Sequence, residues 1–233
     1  YEFAYKTRMA LLKKAFRNID ADSAALIRIF REQNTWAEDY AYFMALRDFY
    51  NEKPWWQWDE KHARYSEAQK CKGDFAEAIA FYVFTQYIFF TQWRSLKEYA
   101  NSKNVFILGD MPIYVSRDSA DVWTNPNAFM LDKNLSPKLV AGCPPDDFSS
   151  EGQMWGNVIY NNEFIKKSGY KLWLQRLSFA RKMYDEGYNL FFIDQRTHGE
   201  SEGKYTTFGL KERFDVVDWA HFINEKYNPK HIV

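Results

Sequence analysis

The chain has 233 residues, enough for one or two domains with a substantial hydrophobic core. It contains 31 Lys plus Arg and 31 Asp plus Glu, and this zero net charge argues against electrostatic recruitment to nucleic acid or to an anionic membrane. The aromatic content is high, with 20 Phe, 16 Tyr and 9 Trp, so most of these rings are expected in the core and a minority on loops.

The first hundred residues predict a helical region. Apolar residues recur at helical spacing from Phe3 to Ile19 and again from Trp36 to Leu46. Between these stripes, Ser23 stands where it could cap a helix that runs through Phe30.

A long helix is predicted from Asp74 to about Ala100, with Trp93 and Leu96 among its inward-facing residues. Its most apolar stretch, Ile79 to Phe90, is too short to span a bilayer. This stretch therefore predicts a buried helix.

Two apolar runs predict buried strands that each end in a carboxylate. Residues 105–109 lead to Asp110, and residues 189–193 lead to Asp194. Strands that deliver carboxylates at their C-terminal ends are typical of α/β barrels. A helix is predicted between them from Tyr170 to Met183. Residues 214–217 are a weaker strand candidate, and a last helix is predicted from Trp219 to Lys226.

The segment from about residue 110 to 160 predicts a long loop. It is rich in Asp, Pro, Asn, Gly and aromatic residues and has little helical or strand period. Loops of this length inside a compact domain are usually functional or disordered, and the aromatic residues argue against disorder.

The cysteines and histidines predict neither a disulfide nor a metal site. Cys71 and Cys143 are far apart, and the four His lack metal-ligand spacing. Free thiols are typical of a reducing compartment, and no secretory leader is recognisable. We therefore expect a cytoplasmic protein, with the plastid as the other compartment, and no cofactor.

Two long motifs carry a family resemblance. GDMPIYVSRDSADVWTNP at 109–126 and VAGCPPDDFSSEGQMWGN at 140–157 resemble the signature segments of the amylomaltases, also called 4-α-glucanotransferases or disproportionating enzymes. The similarity extends from about Tyr1 to Trp173. It implies retaining double-displacement transfer of α-1,4-glucan segments between maltodextrins, without a metal or an organic cofactor.

The resemblance also implies an α/β fold, a (β/α)₈ (TIM) barrel of the α-amylase type. Residues 1–102 would be a large helical insertion, and residues 103–233 a partial barrel with a substrate-facing loop at about 110–160. A complete barrel alone takes about 250 residues, so this chain has room for about half of one. Half a barrel leaves strand edges unpaired, and we therefore expect self-association.

The resemblance makes Asp194 the nucleophile, because it closes an apolar strand as the nucleophile of the family does. The flanking sequence departs from the family pattern: Phe192 replaces an Arg, Gln195 a His and Thr197 a second Arg. No acid/base Glu is recognisable after Asp194. A second register, residues 214–222, also resembles the nucleophile segment but places Ala220 at the reactive position, which would leave the site inactive.

The loop supplies the remaining candidates. By resemblance, Trp155 and Phe148 are aromatic faces for sugar rings, and Asp146 and Asn157 are hydrogen-bonding partners for hydroxyl groups. Asp110 is expected to support the site rather than react. An alternative is that Trp155 anchors the loop to the core, a role that would not exclude contact with a sugar.

The remaining loop carboxylates have structural interpretations, and two other functions are compatible with the sequence. Asp118 and Asp121 are predicted to cap helices, and Asp147 stands where the family has Tyr. The main alternative function is an inactive or incomplete fragment that binds α-glucan without turnover. A third is a serine hydrolase using Ser201, which lies in a G-x-S-x-G pattern without a convincing strand before it.

Overall fold

A computed structural model describes residues 2–105, 113–145, 149–177 and 212–229. The chain divides into two compact units, Tyr1–Leu174 and Gln175–Val233. The described part of the first unit is mostly helical and contains a two-stranded antiparallel sheet. The division expected at residue 102 falls inside this unit and stays a prediction.

The secondary structure of the described residues follows this order. The first unit holds α1 (Glu2–Arg17), α2 (Ala21–Gln33), α3 (Thr35–Phe49), α4 (Glu60–Ala63), α5 (Tyr65–Ala68), α6 (Ala76–Ser102), α7 (Ala120–Thr124), β1 (Val140–Cys143), β2 (Gln153–Val158) and α8 (Asn162–Lys167). Helix α9 (Lys171–Arg176) begins there, and α10 (Glu212–Tyr227) lies in the second unit. Short 3₁₀ helices occupy Trp55–Gln57, Gln69–Phe75 and Pro126–Ala128.

The core of the first unit forms where α3 packs against α6, and it is strongly aromatic. Three buried tryptophans each donate the indole N–H to a backbone carbonyl, and two of these bonds, from Trp55 and Trp123, join segments that are distant in the sequence. The pairs are Trp55 to Arg117 (2.7 Å), Trp58 to Lys53 (2.8 Å) and Trp123 to His62 (2.9 Å). A buried indole needs such an acceptor. The expectation that most aromatic residues form core is confirmed for these rings.

The N-terminus of α2 is capped by Asp20 and not by Ser23. The Asp20 carboxylate accepts a hydrogen bond from the Ser23 backbone N–H at 2.7 Å, and Asp20 itself has extended backbone angles. This hydrogen bond lowers the pKa of Asp20. Asp and Ser are similarly good N-cap residues, so the sequence alone did not separate them.

Helix α6 begins at Ala76, two residues later than expected, because a 3₁₀ helix occupies Gln69–Phe75. Its N-terminal half is buried around Ile79, as predicted. The prediction for its C-terminal half is wrong, since Trp93 and Leu96 are 41% and 52% exposed. Helical spacing shows which residues share a face, but it does not show whether that face is covered.

The expected strand at 214–217 is wrong, because these residues lie inside α10. Its Val pair favours a strand locally, but such preferences yield to context. The predicted helix from Trp219 to Lys226 is part of α10. The second register for the nucleophile therefore falls on a helix, where Ala220 does not close a strand.

Other predicted elements are only partly described. Apart from Val105, the expected strands at 105–109 and 189–193 lie outside the described residues. Helix α9 matches the start of the predicted Tyr170–Met183 helix. Among the described residues, no helix combines the length and apolar character needed to cross a membrane.

His62 is a buried titratable residue at the junction of α3 and α4. It is 3% exposed, its Nδ1 lies 2.8 Å from the Tyr50 hydroxyl oxygen, and the rings of Phe49 and Phe75 pack against it edge-on. Burial is the main cause that lowers its pKa below the ordinary 6.5. Lys61 lowers the pKa further, whereas two nearby carboxylates oppose the shift.

We expect the free energy of unfolding to decrease as the pH falls below 6.5 and to be independent of His62 above it. In that window the unfolded chain binds more protons than the folded chain, so acid favours unfolding. One proton limits the slope to about 1.4 kcal/mol per pH unit. Urea unfolding between about pH 5 and pH 7 measures this slope. The His62→Gln variant should lose it, and an unchanged slope in that variant would assign the effect to other groups.

Candidate functional site

Strands β1 and β2 pair antiparallel, and we call the described residues around them, 140–145 and 149–158, the bulged hairpin. Its paired residues are Val140 with Val158, Gly142 with Met154, and Cys143 with Gln153. Between the first two pairs, β1 contributes only Ala141, whereas β2 contributes residues 155–157. The extra residues form a bulge in β2, and bulges of this kind redirect side chains and are common next to active sites.

Gly156 is the centre of the bulge and explains how β2 makes this detour. Its φ is +75°, a value that residues with a Cβ atom rarely adopt. A Cβ atom added there would meet nothing within 4 Å. The requirement for glycine is therefore conformational and is not a matter of space.

Trp155, the first residue of the bulge, is 53% exposed. Its indole N–H donates to Oε1 of Gln153, two residues earlier on the same strand, at 3.1 Å. The buried tryptophans of the core instead donate to backbone carbonyls. The alternative that Trp155 anchors the loop to the core is therefore wrong, because its ring is open to solvent.

Asn157 follows in the same bulge and is half-buried. Its side-chain amide makes no hydrogen bond to any residue that the structure describes. An amide carries two N–H donors and a carbonyl acceptor. The bulge therefore presents an aromatic face and an amide two residues apart, a combination that can contact the C–H face and the hydroxyl groups of a sugar.

Gly152 directly precedes β2 and lies against the backbone at the end of β1. Its φ is +74°, and a Cβ atom there would lie 2.5 Å from the carbonyl oxygen of Cys143. The Gly152 N–H donates to the Ser149 carbonyl at 3.1 Å, and the Ser149 hydroxyl donates to the Gly152 carbonyl at 2.7 Å. The two strands therefore approach too closely here for any side chain at position 152.

The base of the bulged hairpin is fixed to the core. Val158 is fully buried, and the chain beyond it pairs with the segment around Phe129. The Tyr160 hydroxyl donates to the Ile113 carbonyl at 2.6 Å, and the half-exposed Tyr114 ring stacks on Tyr160 with 6.2 Å between ring centroids. A rigid base thus carries an exposed bulge, as sites for oriented ligands require.

In the motif at 109–126, the described residues join the loop to the helical region. Asp118 forms an ion pair with Arg47 (Oδ2 to Nη1, 3.0 Å) and accepts from the backbone N–H of Trp55 at 3.4 Å. It does not cap a helix as expected: the N-cap of α7 is Ser119, and Asp121 lies in the first turn. This difference arises because the Asp118 carboxylate pairs with the guanidinium group of Arg47 in α3.

Arg117 links the same motif to the turn around Leu135. Its guanidinium carbon lies 3.8 Å from the ring centroid of Trp56, and Nη2 donates to the Leu135 carbonyl at 2.8 Å. Partial burial lowers the pKa of Arg117, although guanidinium groups stay charged at neutral pH. Its contacts are with the protein itself, so we assign it a structural role.

Of the predicted site residues, Trp155 and Asn157 both lie in the bulge. Asp110, Asp146, Phe148 and Asp194 lie outside the described residues, as does Ser201 of the hydrolase alternative. Within the described residues, no group of His, Cys, Asp and Glu side chains could hold a metal ion.

Sequence reasoning missed three residues at this site: Gln153, Gly156 and Tyr114. Gln153 could have been found from its position two residues before Trp155, since alternate residues of a strand share a face. A glycine between two predicted contact residues is a signal for a bulge. Tyr114 lies in the first motif, but only the fold brings it to the base of the hairpin.

Comparison with known proteins gives one consistent answer. The sequence profile of the 4-alpha-glucanotransferase family matches residues 1–187. A 4-alpha-glucanotransferase of Clostridium butyricum is 40% identical over 229 residues, which cover 93% of this chain and 47% of the relative. One from Aquifex aeolicus is 42% identical over 191 residues, 79% of this chain and 38% of the relative.

A solved structure agrees with these matches. The amylomaltase from Streptococcus agalactiae in complex with acarbose has a TM-score of 0.72 and 40% sequence identity, over 79% of this chain and 38% of that one. The present chain spans less than half the length of these relatives.

Proposed function

This chain belongs to the 4-alpha-glucanotransferase family, and we propose that it acts in the transfer of α-1,4-glucan segments between maltodextrins. The observation that carries the proposal is the bulge of β2, which holds the exposed Trp155 and, two residues later, the free amide of Asn157 within a family motif. Exposing a large aromatic ring to water is unfavourable, and such a ring next to polar groups is typical of a ligand contact.

The architecture that fits this function is the partial (β/α)₈ barrel expected from the sequence. In this proposal residues 1–102 are the helical insertion, and residues 103–233 form a barrel portion whose long loop includes the bulged hairpin. The helical character of residues 2–102 and the likeness to a solved amylomaltase support it. We also propose that unpaired strand edges cause self-association, which light scattering at increasing concentration would measure.

The proposed chemistry is a retaining double displacement. The Asp194 carboxylate attacks the anomeric carbon, and the glycosidic C–O bond breaks as an acid, unassigned in this chain, protonates the leaving oxygen. A sugar hydroxyl of the acceptor then loses its proton to that conjugate base and displaces Asp194. In this scheme Phe148 and Trp155 contact sugar rings, Asp146 and Asn157 bind hydroxyl groups, and Asp110 supports the site.

A second candidate function is glucan binding without turnover. It is favoured by Phe192, Gln195 and Thr197, which stand where the family pattern has Arg, His and Arg. Without a neighbouring cation, a carboxylate in apolar surroundings has a raised pKa and is a weaker nucleophile.

The proposed setting is a reducing compartment, either the cytoplasm or a plastid. Cys71 and Cys143 are both free thiols, and disulfides are rare in such compartments. Mass spectrometry after alkylation of freshly purified protein would test this, since a mixed disulfide on either thiol would count against it.

Incubation with maltotriose separates the two candidates. Glucose together with longer maltodextrins would demonstrate transfer, and an Asp194→Asn variant should then form neither product. Saturable binding of maltotriose without products would favour the second candidate. If the protein neither binds nor converts maltotriose, both are wrong.

We expect Trp155→Ala to raise the Kd for maltotriose by about 10- to 100-fold, the usual cost of truncating a tryptophan anchor. Isothermal titration calorimetry measures this change. Met154→Ala is the matched control: Met154 is the neighbouring residue, is 83% exposed and points to the opposite face of β2. Equal affinities of the two variants would remove Trp155 from the glucan site.

A further inference from the structure

Gln153 is the hydrogen-bond partner of the exposed Trp155 indole. Its side-chain carbonyl accepts the Trp155 N–H at 3.1 Å, and both side chains lie on the same face of β2 because they are two residues apart. On the opposite strand Gln153 pairs with Cys143, so its backbone is held by the sheet. Trp155, in contrast, begins the bulge and has no residue directly opposite it.

We propose that Gln153 is a positioning residue, which holds the Trp155 indole in the orientation that a glucan requires. This inference rests on the proposed function of the bulged hairpin. An exposed indole on a bulge is otherwise free to rotate about its side-chain torsions, and a ligand that stacks on it must stop that rotation. The hydrogen bond from Gln153 restricts the ring before the ligand arrives.

The indole N–H is also the only polar group of the Trp155 side chain. Because the indole N–H already donates to Gln153, the part of the ring that remains for a ligand is its apolar face. The amide nitrogen of Gln153 keeps its two N–H donors, since no hydrogen bond joins them to other described residues. The pair therefore works as one unit whose orientation is set by the regular part of β2.

The ordering that Gln153 provides corresponds to about a two- to tenfold gain in affinity, the usual cost of immobilising one side chain. We expect Gln153→Met, which keeps the length of the side chain but removes the acceptor, to raise the Kd for maltotriose by this factor. Gln153→Glu retains an acceptor oxygen and should restore most of the affinity. Met154→Ala again serves as the unaffected control.

A double-mutant cycle separates positioning from direct contact with the sugar. If Gln153 acts through the indole, Gln153→Met has no further effect on the Kd in a Trp155→Ala background. If the same loss of affinity persists in that background, Gln153 contacts the glucan by itself and the proposal is overturned.

The hydrogen bond can be tested without any glucan, which keeps failure of the proposed function distinct. In ¹⁵N-labelled protein, the Trp155 indole N–H signal is assigned by its loss in Trp155→Phe. Its exchange with water should be faster in Gln153→Met than in the wild type or in Gln153→Glu. Equal exchange rates in all three proteins would overturn the positioning role, whatever the protein binds.

Discussion

Replacing Trp123 by alanine is expected to lower the free energy of unfolding by about 3–5 kcal/mol, the range for truncation of a large buried aromatic residue. Trp123 is fully buried, and its ring packs against Tyr42, Phe43, Trp58 and Tyr65. The variant would leave a large cavity, and the carbonyl that accepts the indole N–H would lose its partner.

Urea unfolding at neutral pH measures this loss, and Trp155→Ala is the control because it removes the same side chain from an exposed position. We expect Trp155→Ala to change the free energy of unfolding by less than about 0.5 kcal/mol. Similar losses in the two variants would contradict the burial assigned to each. The two variants therefore distinguish the roles of the two family motifs. The motif at 109–126 stabilises the core through Trp123, whereas the motif at 140–157 exposes Trp155.

The second large effect is expected at Gly152. An alanine there must adopt a φ of +74° and place its Cβ atom 2.5 Å from the Cys143 carbonyl oxygen, a distance that Cβ atoms in proteins essentially never show. The backbone strain costs about 1–2 kcal/mol and the clash about 1–3 kcal/mol. We expect the bulged hairpin to open rather than accept both costs, with a large loss of maltotriose affinity.

Gly156→Ala is the matched control for this variant. Its φ of +75° is nearly the same, but a Cβ atom there meets nothing within 4 Å, so only the backbone strain remains. Hydrogen exchange of the backbone amides in β1 and β2 measures opening of the hairpin. Faster exchange in Gly156→Ala than in Gly152→Ala would show that the close approach at Gly152 does not determine how easily the hairpin opens.

In the first unit, the residues that stabilise the fold differ from the residues proposed to bind glucan. Residues that fasten the loop to the helical region, such as Asp118 with Arg47, are partly buried and paired. The residues of the bulge are exposed or unpaired. A rigid frame around an exposed group lowers the ordering cost of binding.

Prediction from the sequence succeeded where the signal was local or was a long motif. The resemblance of residues 109–126 and 140–157 identified the family, which the comparisons confirm. The helical character of the first hundred residues was also predictable, because apolar spacing repeats over many turns.

Prediction was less successful where partners distant in sequence decide the outcome. Asp118 was expected to cap a helix, but it pairs with Arg47, 71 positions away. Trp93 and Leu96 have helical spacing and were expected to face inward, yet they are exposed. Residues 214–217 have the composition of a strand but continue a helix. For Asp118 the ion pair with Arg47 outweighs the local capping preference, whereas helical spacing and residue composition do not by themselves show whether a face is covered or which element forms.

The amino-acid sequence by itself determined the family, the helical N-terminal region and the residue types that could meet a sugar, because each of these depends on short-range pattern or on motifs read in order. Tertiary structure alone decided which tryptophan is core and which is exposed. Trp123 and Trp155 have the same side chain, and both stand in family motifs. They differ because aromatic rings surround Trp123, whereas three residues of β2 face one residue of β1 at Trp155, so the strand must bend outward and carry that ring into solvent.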